Sequence, residues 1–141
     1  MTTRFISRSP EETLEIGVRI GGKLPVGAVV LLMGALGAGK TVLSKGIARG
    51  LGITEEISSP TYTIVSEYPA EKPLYHIDLY RVDGREQIEN LGLDDIVGTD
   101  GVAVVEWGEK LEMDLPSPPI RVAISINSPI ERLISIEGLE P

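Results

Sequence analysis

Residues 34–41 read Gly-Ala-Leu-Gly-Ala-Gly-Lys-Thr, and no other stretch restricts the fold as strongly. The pattern is Gly, four residues, then Gly-Lys-Thr, the signature of a phosphate-binding loop (P-loop). Each residue type has a reason to be there. Glycines let the backbone enter left-handed conformations and approach an anion closely. Successive N–H groups can then point at a phosphate, helped by the positive end of the next helix. Lys40 supplies a point charge for the β- and γ-phosphates. The hydroxyl of Thr41 suits a Mg²⁺ ion. Context supports the motif. The apolar run Ala28, Val29, Val30, Leu31, Leu32, Met33 precedes it, as a buried parallel strand should. Val42, Leu43, Ile47, Ala48 and Leu51 then mark a helix face, and Gly52 stands where a helix stops. The nucleotide contacts expected here are Gly34, Gly37, Ala38, Gly39, Lys40, Thr41 and Val42.

Composition narrows the chemistry. A length of 141 residues suggests a single domain, residues 1–141. The absence of cysteine excludes disulfides, thiolate metal sites and cysteine nucleophiles, and the one histidine excludes a histidine-rich metal site. With 13 basic and 21 acidic residues the net charge is −8, a poor basis for gripping nucleic acid directly. A role in nucleic-acid chemistry would therefore run through protein partners. No signal-peptide pattern opens the sequence, and no apolar run approaches the ~18 residues of a membrane span. The default expectation is a cytoplasmic protein without membrane contact; self-association is left open.

Along the chain, residues 3–8 suggest a first strand. Ser9, Pro10 and Glu12 form a helix start with a capping box. That helix is expected to run to about Lys23, with Leu14, Val18 and Gly21 facing inward. Residues 62–68 and 74–78 read as an antiparallel hairpin. Asp83 is placed to cap a helix over residues 86–91 that ends at Gly92, and residues 94–97 add one turn. Residues 102–106 form a second buried-type strand. Residues 120–126 alternate apolar and polar, and residues 132–136 return as their partner. The expected fold is α/β: a three-layer P-loop NTPase core on a mixed sheet, with parallel core strands and antiparallel hairpin strands added. Ligands in such sheets lie beyond the carboxyl ends of the parallel strands.

A P-loop NTPase needs an acidic residue at the end of an apolar strand to hold Mg²⁺. Glu106 ends Val-Ala-Val-Val and Asp78 ends Leu-Tyr-His-Ile, so both qualify. Thr61 sits in a run of hydroxyls from Ser58 to Thr63. It reads equally as a γ-phosphate-sensing switch or as a Ser/Thr turn. Trp107 is a packing residue or a neighbour of the nucleotide or a partner; Glu109 and Lys110 follow it on a loop. His76, inside an apolar strand, reads as a hydrogen-bonded structural residue, with a catalytic histidine as the alternative. Arg132 reads as an exposed edge-strand arginine, with stacking on adenine as the alternative. No Asn-Lys-x-Asp base-reading motif for GTP is found, which favours ATP. A small-molecule kinase is the competing enzyme reading, but the eight arginines form no lid-like cluster. A nucleotide-gated adaptor would need the same pocket.

Four segments together resemble the TsaE (YjeE) family: Gly34-Ala-Leu-Gly-Ala-Gly-Lys-Thr41, Ser58-Ser-Pro-Thr-Tyr-Thr-Ile-Val65, Tyr75-His-Ile-Asp-Leu-Tyr-Arg81 and Val104-Val-Glu-Trp-Gly-Glu-Lys110. The resemblance spans roughly residues 9–136. It implies a small bacterial ATPase acting with TsaD and TsaB in making N6-threonylcarbamoyladenosine beside the anticodon of tRNAs that read codons beginning with A. TsaC makes the activated intermediate and TsaD–TsaB transfers the group, while ATP hydrolysis resets the complex. Turnover would be slow alone and faster with partners, and tRNA would be met only indirectly. By matching position, the resemblance implies Thr41 and Glu106 as Mg²⁺ ligands, Lys40 as the phosphate lysine and Asp78 as a carboxylate at or behind the metal. Thr61 would belong to the switch-like loop, and Glu12, Glu109 and Arg132 would lie near the nucleotide. Two positions depart from the family: Ala35, often acidic, and Glu131 before Arg132, often glycine.

Overall fold

The structure is a computed structural model, and it describes residues 2–57, 64–111 and 113–139. Its elements are β1 (Thr2–Ser7), α1 (Pro10–Gly21), β2 (Val29–Met33), α2 (Lys40–Gly50), β3 (Val65–Tyr68), β4 (Leu74–Asp78), α3 (Gly84–Asn90), β5 (Val102–Glu106), β6 (Ile120–Ser128) and β7 (Glu131–Glu137). Single 3-10 turns cover Leu93–Asp95 and Gly108–Lys110. All seven strands join one sheet in the order β1-β7-β6-β2-β5-β4-β3. The inner strands β6, β2, β5 and β4 run parallel; β3, β7 and β1 are antiparallel additions.

Period-2 alternation sends each strand's side chains to both faces, and both faces are covered. One face carries Val30, Leu32, Val104, Val122 and Ile134 against Ile16 and Ile20 of α1 and Leu43 and Ile47 of α2. The opposite face carries Leu31, Ile77 and Val105 against Ile88 of α3 and Leu93 and Val97 beyond it. This is the three-layer mixed-sheet α/β fold expected from the sequence.

The start of α1 follows its sequence signals. Ser9 accepts from the Glu12 N–H at 3.1 Å. The reciprocal bond differs in detail: Glu12 Oε1 accepts from the N–H of Arg8, not of Ser9. The helix ends at Gly21, and its inner face is Thr13, Ile16, Gly17, Ile20 and Gly21. The expected inward positions of Leu14 and Val18 are corrected: Leu14 is half-buried and Val18 exposed. The cause is a backbone seam. Gly17 and Gly21 of α1 meet Gly46 and Gly50 of α2 so closely that a Cβ at Gly17 would stand 2.5 Å from the Leu43 carbonyl oxygen and 2.9 Å from the Gly46 Cα. Glycine, not the largest apolar residue, therefore sets which side of α1 turns inward. At the other end of α2, the N–H groups of Gly52 and Ile53 bond to the carbonyls of Arg49 and Ala48, a Schellman stop.

Two further expectations shift. Asp83 does precede α3, but its side chain makes no capping bond, and the helix starts earlier, at Gly84. Arg132 is not on an edge strand: β7 lies between β6 and β1, which leaves the arginine half-buried.

Candidate functional site

The carboxyl ends of β2, β4 and β5 meet at one edge of the sheet, and the P-loop leaves β2 there. Gly37 and Gly39 have φ of +82° and +112°, conformations that favour glycine. α2 then begins at Lys40 with Gly39 as its cap. No side chain among the described residues caps it, and its first turn holds no acidic residue. α1, by contrast, carries a serine cap and two glutamates in its first turn. The positive end of α2 is thus left for an external anion.

Four side chains converge on that end. Thr41 Oγ1 donates to Glu106 Oε1 at 3.3 Å. Asp78 and Glu106 are register partners at the ends of neighbouring parallel strands. Lys40 is buried, and its ammonium donates to the carbonyls of Gly34 and, at 3.1 Å, of Ala35. The same ammonium lies 3.8 Å over the centre of the Trp107 ring. Burial pushes its pKa below the ordinary lysine value, while the carboxylates of Glu106, Glu109 and Asp78 pull the other way. Trp107 is the only non-glycine residue with positive φ among the described residues, and Tyr80 packs on it with centroids 5.1 Å apart.

Glu106 is buried and heavily engaged. Oε1 meets Thr41, while Oε2 meets Nε2 of the fully buried His76 at 2.5 Å and the Ser44 hydroxyl at 3.5 Å. Asp78 accepts from the Tyr80 N–H through Oδ1 at 2.9 Å. Among the described residues no group of three or more His, Cys, Asp or Glu side chains could enclose a metal. The donors present, one hydroxyl and one or two carboxylates, are the hard oxygen set that Mg²⁺ takes when phosphates and water complete its shell. The residues therefore fit that ion in the company of a nucleotide.

On the other side of the P-loop lies a cavity of about 360 Å³ lined by Ser7, Ser9, Thr13, Val42, Ile130 and Arg132, among others, with Gly37, Ala38 and Gly39 forming the shared wall. Arg132 ties this wall together: its Nε donates to the Ala38 carbonyl at 3.1 Å, and Nη1 donates to the Ser128 carbonyl at 2.9 Å. Ser7 and Thr13 hydroxyls lie 2.7 Å apart.

The site residues expected from sequence thus fall into two groups around the P-loop. Lys40, Thr41, Asp78 and Glu106 gather at one end; Gly37, Ala38, Gly39, Val42 and Arg132 face the cavity. Glu109 is exposed on the turn after Trp107, yet its charge reaches Lys40. Glu12 does not line the cavity; its carboxylate is spent on the Arg8 N–H, while its neighbours Ser9, Pro10 and Thr13 reach the cavity wall. Thr61 lies outside the described residues. The sequence reading missed Ser7, Thr13 and Ile130 because nothing in the pattern shows that β1, α1 and the β6–β7 turn fold against the P-loop. It also missed Ser44, although its place three residues after Thr41 on a helix put it on the same face.

Comparison with known proteins places the chain in a family. The family model described as "Threonylcarbamoyl adenosine biosynthesis protein TsaE" matches residues 7–134. The tRNA threonylcarbamoyladenosine biosynthesis protein TsaE of Treponema pallidum is 41% identical over 133 residues, covering 94% of this chain and 98% of that protein. Its counterpart in Bacillus subtilis is 42% identical over 132 residues, covering 93% and 82%. The crystal structure of Bacillus subtilis YdiB superposes with a TM-score of 0.79 at 35% identity, covering 96% of this chain and 84% of that one. No helix among the described residues is long and apolar enough to cross a membrane. Matched by the family model over most of its length and by close relatives on both sides of the P-loop, the chain belongs to the TsaE family.

Proposed function

We propose that this chain is a Mg²⁺-dependent ATPase of tRNA threonylcarbamoyladenosine biosynthesis that supports TsaD and TsaB without transferring the group itself. Its place in the pathway is supported by the names of its relatives. The ATPase reading is carried by one observation: Lys40, Thr41 and Glu106 converge on a helix end that no side chain among the described residues caps. TsaD, TsaB and the tRNA they hold rest on the family resemblance and on the charge of −8, which leaves the grip on RNA to the partners.

In this reading the backbone N–H groups at the start of α2 and the Lys40 ammonium hold the β- and γ-phosphates. Lys40 exchanges its present acceptors, the Gly34 and Ala35 carbonyls, for phosphate oxygens. Base and sugar enter the cavity between α1 and the β6–β7 turn, where Arg132 fixes the wall. Thr41 and Glu106 would hold Mg²⁺, with Asp78 beside them; the ion supplies charge neutralisation for the transferring phosphoryl group. Catalysis is then positioning plus electrostatic stabilisation, with water as the nucleophile.

The test is hydrolysis of Mg²⁺-ATP by the pure protein, repeated with TsaD, TsaB and tRNA. Slow turnover that the partners raise, together with repeated rounds of tRNA modification, is expected. Removing one group that stabilises transition-state charge costs about 10²–10³ in turnover, so Lys40→Ala and Glu106→Ala should each lose at least that much. Full Mg²⁺-dependent hydrolysis by Glu106→Ala would sink the metal assignment.

A further inference from the structure

His76 is the chain's one histidine, is wholly buried, and stands in the middle of β4. An imidazole there is costly, because a polar ring loses its water and an aliphatic residue would fill the place without that loss. One nitrogen is compensated: Nε2 lies 2.5 Å from Glu106 Oε2. The other, Nδ1, has no hydrogen-bond partner among the described residues. A proton on Nδ1 would be buried without an acceptor, so the ring proton belongs on Nε2, where it is donated to the carboxylate.

The consequence lies in Glu106. His76 and Glu106 project from neighbouring parallel strands to the same face of the sheet, two residues apart in register. The Ser44 hydroxyl approaches the same Oε2 from α2. Oε2 is therefore held from two sides, and Oε1 is turned toward Thr41. Without the ring, a carboxylate free to rotate would lose that aim. Groups behind a metal ligand commonly change metal affinity by about 10–100-fold when removed.

We infer that His76 is a positioning residue that holds Glu106 in the orientation needed to take Mg²⁺ together with Thr41. The inference rests on the nucleotide-site reading above and concerns the binding of the ion, apart from turnover.

Two measurements test it. With a single histidine, ¹⁵N NMR of the intact protein reads one imidazole. A proton on Nε2 with Nδ1 bare is expected, and the Nε2 signal should move in Glu106→Gln. A proton on Nδ1 with Nε2 bare would overturn the inference. The second measurement is equilibrium binding of a fluorescent, non-hydrolysable ATP analogue, first in EDTA and then across a MgCl₂ titration. His76→Leu keeps an apolar filler but no donor. It should raise the half-saturating Mg²⁺ about 10–100-fold while leaving affinity in EDTA unchanged. His76→Gln carries an N–H the same number of bonds from the backbone as Nε2 and should restore most of the loss. An unmoved Mg²⁺ midpoint, or an equal weakening with and without Mg²⁺, would reduce His76 to a packing residue. Failure of the unsubstituted protein to bind the analogue would instead sink the nucleotide-site reading itself. Should the leucine variant not fold, the glutamine variant and the tautomer still decide the matter.

Discussion

Gly17→Ala tests the seam between α1 and α2. By intrinsic propensity the change should help, because alanine is favoured over glycine inside a helix by about 1 kcal/mol. The structure argues the reverse. The new Cβ would stand 2.5 Å from the Leu43 carbonyl oxygen, 2.9 Å from the Gly46 Cα and 3.0 Å from the Ile47 nitrogen. All three are backbone atoms of the facing helix, so no side chain can rotate aside. The helices must part by roughly 0.5–1 Å in an interior packed at crystal-like density. Overpacking of this kind costs about 1–3 kcal/mol, and the rigid neighbours place it near the top of that range. After the propensity gain, a net loss of about 2 kcal/mol remains, or roughly 5–8 °C in Tm for a chain of this size. Gly22→Ala is the control. Gly22 ends the same helix with φ of −65°, and its nearest contact would be 3.6 Å. That variant should be neutral or gain up to about 1 kcal/mol. Thermal and urea unfolding of the two variants beside the parent protein would decide. A Gly17→Ala protein as stable as its parent would refute the claim that the seam is closed by direct backbone contact.

The Tyr75 hydroxyl donates to Asp100 Oδ1 at 2.8 Å, and this bond, with burial, raises the tyrosine above its ordinary 10.0. A raised folded-state value means stability that is complete below pH 10.0 and lost as pH climbs through the folded pKa, so the Tm advantage over Tyr75→Phe should shrink only in that alkaline range; an advantage constant with pH would count against the bond. Trp107 is the chain's one tryptophan, and Lys40 lies over its ring. Drawing the ammonium onto phosphates should change the emission on adding Mg²⁺-ATP, and a Lys40→Ala protein should show no such change; a silent spectrum in the parent would contradict this. Arg132→Ala removes the bond to the Ala38 carbonyl and should weaken ATP binding by about 1–2 kcal/mol, roughly tenfold in Kd; an unchanged Kd by calorimetry would show that this wall does not need the arginine.

The parts of the site that lie next to one another in sequence were readable in advance. The P-loop, its apolar strand and its helix form one continuous segment, so spacing alone located Lys40 and Thr41. Glu106 and Asp78 were found because a carboxylate ending an apolar run is a local pattern. What joins them was not local. Nothing in the spacing sets β6 parallel to β2 or inserts β7 between β6 and β1, and so the cavity wall of Ser7, Thr13 and Ile130 went unseen and Arg132 was misjudged as an edge residue. The inward face of α1 was misread for a different reason. Hydrophobicity pointed to Leu14 and Val18, but two helices that touch through glycines are oriented by what is missing from a side chain. His76 reads from the sequence as a hydrogen-bonded structural residue, and it is hydrogen-bonded, but the spacing could not name its partner, which lies thirty residues away on another strand.

The cavity beside the P-loop draws one wall from Ser7, Ser9 and Thr13, where β1 leads into α1, and another from Pro129, Ile130 and Arg132, where the β6–β7 turn leads into β7, and β1 and β7 pair with each other. Bringing such distant stretches together closes a long loop, a slow step in folding compared with forming the adjacent strand, P-loop and helix. During synthesis the phosphate-binding segment therefore exists well before the pocket next to it can be completed. A ligand that needs both would bind only the finished fold and would stabilise it by mass action in proportion to ligand concentration. An unfinished or carboxyl-terminally clipped chain would keep the P-loop but draw no such protection, so resistance to proteolysis conferred by nucleotide would report on completion of the fold.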